Sequence, residues 1–195
     1  MTQFVLATAN PHKTDEMRAV LSALGITLSP RPSDVPEVAE TGETLEENAL
    51  LKARALVDAT GQAAVADDTG LFVDALDGRP GVRSARYAGE VASYDDNVTK
   101  LLGELVNVAP GERTARFRSV VAVAYPDGTS FCVEGVLPGV ITDARAGDQG
   151  FGYDPVFAPL ELGGRTLAEL TPEEKNEISH RARALRALAE ELVKR

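Results

Sequence analysis

The run Arg113–Ile141, "RTARFRSVVAVAYPDGTSFCVEGVLPGVI", places two β-rich segments on either side of Pro126-Asp127-Gly128, the strongest hairpin signal in the chain. So short a turn joins only antiparallel neighbours, which commits part of any sheet to antiparallel pairing. The N-terminal part reads differently. Gln3 to Ala7 is β-rich and passes directly into the apolar spacing Met17, Val20, Leu21, Leu24, which predicts a helix from Pro11 to Leu24 closed by Gly25. A second helix is predicted over "TLEENALLKARALVDATG" (44–61), with Thr44 and Glu47 as a capping box and Gly61 as the stop. A β-α opening followed by a hairpin predicts an α/β fold with a mixed, strongly twisted central sheet, flanking helices, and two lobes around a cleft.

The remaining segments fill this outline. Ala63–Leu76, "AAVADDTGLFVDAL", reads as two strands interrupted at Asp67–Gly70, and residues 77–90, "DGRPGVRSARYAGE", as a long loop. Ser93 with Asp96 caps a third helix to about Val106. The C-terminal third opens on the glycine-spaced, aromatic "GDQGFGYDPVF" and ends on a helix whose apolar face is Ile178, Ala182, Leu185, Ala189 and Leu192. The chain has no internal repeat, linker or low-complexity segment.

At 195 residues, one domain of two lobes buries an adequate core without staples. The single cysteine, Cys132, excludes an internal disulfide and a cysteine metal cluster, which favours a reducing compartment. The N-terminal stretch lacks a basic region, and no uncharged run is long enough to span a bilayer, so the expectation is a cytoplasmic protein. With 30 acidic and 20 basic residues the net charge is −10, which disfavours nucleic acid polymers and anionic membranes. An anionic substrate must therefore be drawn by a local cluster of cations.

Several stretches offer such chemistry. "TANPHK" (8–13) follows a strand and opens a helix, as a P-loop does, but lacks that motif's glycines. Two readings stay open: Asn10 caps the helix with Pro11 at its first position and Lys13 solvated, or the helix N-terminus and Lys13 hold phosphate. A lysine in a first helical turn opposes the helix dipole, so something negative is expected opposite it. The adjacent carboxylates Asp67 and Asp68 end an apolar strand. Alternation sends them to opposite faces, one chemical and one structural, unless both serve an ordinary turn. Glu40, in the acidic loop, can bring a second carboxylate to the same place, which suits Mg²⁺ held by one or two carboxylates and substrate phosphates. Lys52 alone is an ordinary helix-surface lysine. In "GFGYD", Phe151 and Tyr153 flank Gly152, offering either aromatic faces to a base or a turn with two core aromatics. In "EEKNEISHR" an unbroken helix would turn His180 about 140° and Arg181 about 120° from Lys175, in opposite senses. Joint use of the three requires a break between Asn176 and Ser179, with Ser179 capping the final helix.

In this order, "TANPHK", "ETGETLEENALLKA", "ADDTGL", "PGVRSARYAG", "GFGYDPVF" and "EEKNEISHR" resemble the inosine/xanthosine triphosphate pyrophosphatase family over essentially the whole chain. The resemblance implies a homodimeric, Mg²⁺-dependent enzyme that cleaves ITP, dITP and XTP to monophosphate and pyrophosphate. It implies that Thr8, Ala9, Asn10, Pro11, His12 and Lys13 wrap the triphosphate with Lys52, and that Glu40 and Asp68 hold Mg²⁺. Asp68 would also act as general base, Thr69 would touch substrate, and Phe151, Gly152, Tyr153, Asp154, Lys175, His180 and Arg181 would surround base and sugar, with Arg181 donating to a 6-oxo group. Ala9 and Pro11-His12 stand where glycine and small residues are common, and Thr69 where serine is. The rival readings are a Maf-type pyrophosphatase for pyrimidine or modified nucleotides, and a non-catalytic nucleotide-binding module.

Overall fold

Ten successive residues, Ala64–Val73, form one unbroken strand straight through Asp67-Asp68-Thr69-Gly70, where the turn chemistry of those residues predicts an interruption. Both carboxylates are buried and charge-paired, and β-pairing outcompetes the local preference for a turn. In the computed structural model, which describes residues 3–8 and 10–195, this strand is β3 of a sheet that also contains β1 (Gln3–Leu6), β2 (Thr27–Ser29), β4 (Pro80–Gly81), β5 (Thr114–Ala124), β6 (Ser130–Ile141) and β7 (Phe157–Pro159). The order is β2-β1-β3-β5-β6-β7, with β4 added to β3. β1 runs parallel to β2 and to β3, pairing Leu6 with Val65, whereas β4 on β3 and β7 on β6 are antiparallel. The mixed sheet expected of the hairpin is present. Tyr125 N donates to Thr129 O at 2.9 Å to close the turn between β5 and β6.

The helices are α1 (Pro11–Ala23), α2 (Leu45–Thr60), α3 (Tyr94–Glu104), α4 (Pro172–Ile178) and α5 (His180–Lys194). Their ends follow local chemistry. Asn10 caps α1 by accepting from His12 N and Lys13 N. The Thr44–Glu47 box opens α2 and left-handed Gly61 stops it, the Ser93–Asp96 box opens α3, and the Thr171–Glu174 box with Pro172 opens α4. Ser179, at φ −60° and ψ 156°, breaks the backbone between α4 and α5 where the argument from helical angles requires it. Among the described residues no helix is long and apolar enough to cross a membrane.

The chain divides into two compact units. The first comprises the described residues of Met1–Asp68, Ser119–Gly135 and His180–Arg195; the second is Thr69–Arg118 with Val136–Ser179. In the first, Phe4, Leu6, Met17, Leu21, Val65, Val121, Leu185 and Leu188 form a core. Gly135 permits the approach of α5 to β6, since a Cβ there would lie 2.2 Å from His180 O and 2.3 Å from Ala184 N. In the second, Leu71, Leu101, Phe117, Leu137, Tyr153 and Phe157 form a separate core. Ile178 packs against this second core rather than heading the apolar face of the last helix, because the break at Ser179 interrupts the helical periodicity that links it to Ala182 and Leu185.

Buried Arg113 staples the second unit, donating to Leu105 O at 2.9 Å, Val108 O at 3.0 Å and Thr142 O at 3.4 Å. Arg113→Met retains volume but strands these acceptors. The expected loss is about 2–3 kcal/mol, read as a melting temperature lower by roughly 4–12 °C. An unchanged melting temperature would remove the staple from the account.

Candidate active site

Alternation along β3 sends Asp67 and Asp68 to opposite faces of the sheet. Asp67 meets α1 and α5: its Oδ2 lies 3.1 Å from Lys13 Nζ and 3.2 Å from Arg181 Nε. Arg181, whose side chain is 2% exposed, also pairs with Glu16 of α1 through Nη1. The negative group that a lysine in the first turn of α1 calls for is thus supplied by a strand carboxylate. Burial alone lifts the Asp67 carboxyl, but Lys13, Arg181 and Lys52 overwhelm it and hold Asp67 well below the usual carboxylate range. Burial pulls Lys13 below the ordinary lysine value, Asp67 opposing and Arg181 and Lys52 adding to the fall. Its side chain is 18% exposed and still reaches the surface.

Asp68 meets α2. Lys52 Nζ lies 2.8 Å from Asp68 Oδ1 and 3.0 Å from Glu40 Oε1, so one ammonium serves two carboxylates. Buried Asn48, four residues before Lys52 on α2, donates from Nδ2 to Asp68 Oδ2 at 3.4 Å and accepts from Gly42 N at 2.8 Å, tying the loop that carries Glu40 to the same helix face. The trio carries a net negative charge. Burial lowers Lys52, but Asp68, Asp67 and Glu40 outweigh it and hold the ammonium above its ordinary value. Burial raises the Asp68 carboxyl, and with Glu40 pushing the same way it stays above its ordinary value despite Lys52 and Lys13. A buried carboxylate of raised basicity beside a second carboxylate can accept a proton from water and can share a hard cation.

At the start of α1, Thr8 Oγ1 accepts from Asn10 N at 3.2 Å, Pro11 occupies the first helical position, and His12 is exposed. Ala9 lies outside the described residues. Thr69 follows Asp68 on β3 and is half-buried.

The second unit holds the remaining candidates. Asp154 Oδ2 accepts from Phe151 N at 2.9 Å and from Lys175 Nζ at 2.6 Å, a buried ion pair. That ammonium lies 4.7 Å from the centre of the Phe151 ring, whose centroid is 5.9 Å from Tyr94. Gly150, at φ +74°, keeps this turn close, since a Cβ there would stand 2.1 Å from Asp154 Oδ2. Tyr153, for which the sequence leaves open a face for a base or a place in the core, is buried in the core, where its hydroxyl donates to Ser84 O at 2.9 Å. Gly152 adopts φ +65°. Lys175 therefore belongs with Asp154 and Phe151, and Arg181 with Asp67 and Glu16. His180 opens α5 and is buried.

Sequence reasoning overlooked Glu16, Asn48 and Tyr94. Two carried a usable signal: Glu16 lies three residues after Lys13, and Asn48 four before Lys52, each on a shared helix face.

The model of the Ham1 family matches residues 4–191. A dITP/XTP pyrophosphatase of Geobacter sulfurreducens is 51% identical over 194 residues, covering 98% of this chain and 97% of its own. One of Streptomyces coelicolor is 50% identical over 192 residues, 96% of each chain. Among solved structures, a HAM1 protein from Coxiella burnetii superposes over 100% of both chains with a TM-score of 0.90 at 40% identity. A nucleoside-triphosphatase/dITP/XTP pyrophosphatase from Mycobacterium abscessus gives a TM-score of 0.77 at 47% identity, covering 96% of this chain and 98% of its own.

Proposed function

The chain belongs to the Ham1 family, and from that premise we propose that it is a nucleoside triphosphate pyrophosphohydrolase that cleaves non-canonical purine nucleotides such as dITP and XTP to the monophosphate and pyrophosphate. The observation that carries the mechanism is the convergence of Glu40 and Asp68 on Lys52 Nζ, at 3.0 and 2.8 Å. Asp68 is the general base: its raised basicity suits removal of a proton from a water aimed at the α-phosphorus. Lys52 offsets charge that grows on the phosphates. Lys13 has three N–H donors, so it meets a phosphate oxygen while Asp67 holds it in place. Asn10 caps α1 and fixes the helix N-terminus toward which an anion is drawn.

Glu40 and Asp68 also fit a divalent cation. Among the described residues no group of three or more histidine, cysteine or carboxylate ligands gathers. Two carboxylates converging in this way would fit Mg²⁺, a hard cation commonly held by one or two carboxylates together with substrate phosphates. When bound, the ion supplies Lewis-acid stabilisation of charge on the phosphates. Phe151, Asp154 and Lys175 form the polar and aromatic group proposed to recognise the base.

The test is pyrophosphate release from dITP and XTP with Mg²⁺, against dATP and dGTP as controls. Hydrolysis of the first two, with the controls at least about tenfold slower, supports the reading; equal rates on all four would reject it. Lys52→Met is expected to lower kcat/KM for dITP by about 10²-fold, the scale of removing one preorganised donor from a developing charge. A loss under threefold would release Lys52 from the mechanism.

A further inference from the structure

We propose that the cavity of about 280 Å³ lined by Leu6, Thr8, Thr14, Arg18, Pro30, Arg31, Pro32 and Ser33 is a second anion site, specific for a small phosphate-type oxyanion. It lies wholly in the first unit, and Thr8 also belongs to the loop before α1.

The lining is chemically one-sided. Its only charged groups are the guanidiniums of Arg18 and Arg31, three further members carry hydroxyls, and no carboxylate is among them. That is unusual in a chain with 30 acidic against 20 basic residues. The walls are set in place from two directions. Thr14 and Arg18, four residues apart, share one face of α1. Opposite, Arg31 Nη2 donates to Val35 O at 2.8 Å and Pro36 O at 2.6 Å, which anchors a segment already stiffened by Pro30 and Pro32. Among the described residues Arg18 has neither an ion pair nor a hydrogen bond. Two cations facing one cavity without a counter-charge repel each other, and an oxyanion relieves that repulsion while accepting from guanidinium forks and hydroxyls together.

Inorganic pyrophosphate, the leaving product, and free inorganic phosphate share this chemistry. The choice of pyrophosphate as occupant rests on the hydrolytic reading; the preference for an oxyanion does not. Calorimetric titration of the full, nucleotide-free chain with each anion separates them. Arg18 is exposed and outside the catalytic group, so Arg18→Gln should preserve the melting temperature and kcat for dITP while weakening pyrophosphate binding about tenfold. Arg31→Lys, which keeps the charge but loses the planar fork, should weaken it in the same direction. Arg18-dependent binding of phosphate alone supports the site with the free ion as its occupant. Arg18-dependent pyrophosphate binding by a chain that hydrolyses no nucleotide supports the site while rejecting the hydrolytic reading. Affinities for both anions unchanged within twofold in a folded Arg18→Gln chain would overturn the proposal.

Discussion

Asp68→Asn is expected to lower kcat for dITP by about 10²–10⁴-fold, the range that a positioned general base contributes. At 1.36 kcal/mol per decade this is roughly 2.7–5.4 kcal/mol of barrier. The substitution is conservative where the fold is concerned. An amide at this position still presents an oxygen to Lys52, now 2.8 Å from Asp68 Oδ1, and it occupies nearly the same volume in a buried place. What it loses is the ability to take a proton and the charge that, with Glu40, makes a pair of hard ligands. Nucleotide binding, proposed to rest on Lys13, Lys52 and the start of α1, should stay measurable by calorimetry, and the melting temperature should move by only a few degrees. A variant that keeps more than about a tenth of wild-type kcat would show that the base is elsewhere. A collapse in nucleotide affinity together with kcat would assign Asp68 to binding instead.

The helices were legible because their ends are local. Thr44 with Glu47 and Ser93 with Asp96 each declare a start within four residues, and the structure has both. The break at Ser179 was legible only on the premise that Lys175, His180 and Arg181 serve one site, since an unbroken helix turns them apart; the structure has the break, while Lys175 pairs with Asp154 and Arg181 with Asp67. Asp67–Gly70 was misread because its turn signal is local, whereas the forces that keep it extended come from far along the chain. β1 pairs with the same strand just before this segment, at Val65, Lys52 reaches Asp68 from 16 residues away, and Arg181 reaches Asp67 from 114. The partner of Lys13 was hidden in the same way. An isolated helix start shows that a negative group is wanted but not whether a ligand or a strand supplies it. Tyr153 illustrates the converse: a glycine-flanked aromatic reads alike whether it faces a ligand or a core, and only the bond to Ser84 O separates the two.

The structural half of the aspartate pair has its own expected result. Asp67→Ala should destabilise the chain by about 3–5 kcal/mol, the cost of leaving buried charge without its partner. For a chain of this size that corresponds to a melting temperature lower by roughly 6–20 °C. The reason lies in what remains behind. Arg181, with a side chain 2% exposed, loses the carboxylate 3.2 Å from its Nε, and Lys13 loses the same carboxylate 3.1 Å from its ammonium. Removing the lysine as well should recover part of the loss, because the double variant Lys13→Met/Asp67→Ala buries one unpaired charge fewer. The coupling in that cycle isolates the pair from the packing change that alanine introduces. The two single variants should also differ in kind. Lys13→Met leaves Asp67 still bonded to Arg181 Nε at 3.2 Å, so it should be milder for stability and more severe for KM, since Lys13 is the member proposed to meet the triphosphate. Should Asp67→Ala melt with the wild type, the network would be dispensable and Asp67 would need a role in chemistry to account for two cations gathered around it. Should Lys13→Met prove as destabilising as Asp67→Ala with KM unchanged, the lysine would be a purely structural partner, and the first turn of α1 would hold phosphate by its backbone alone.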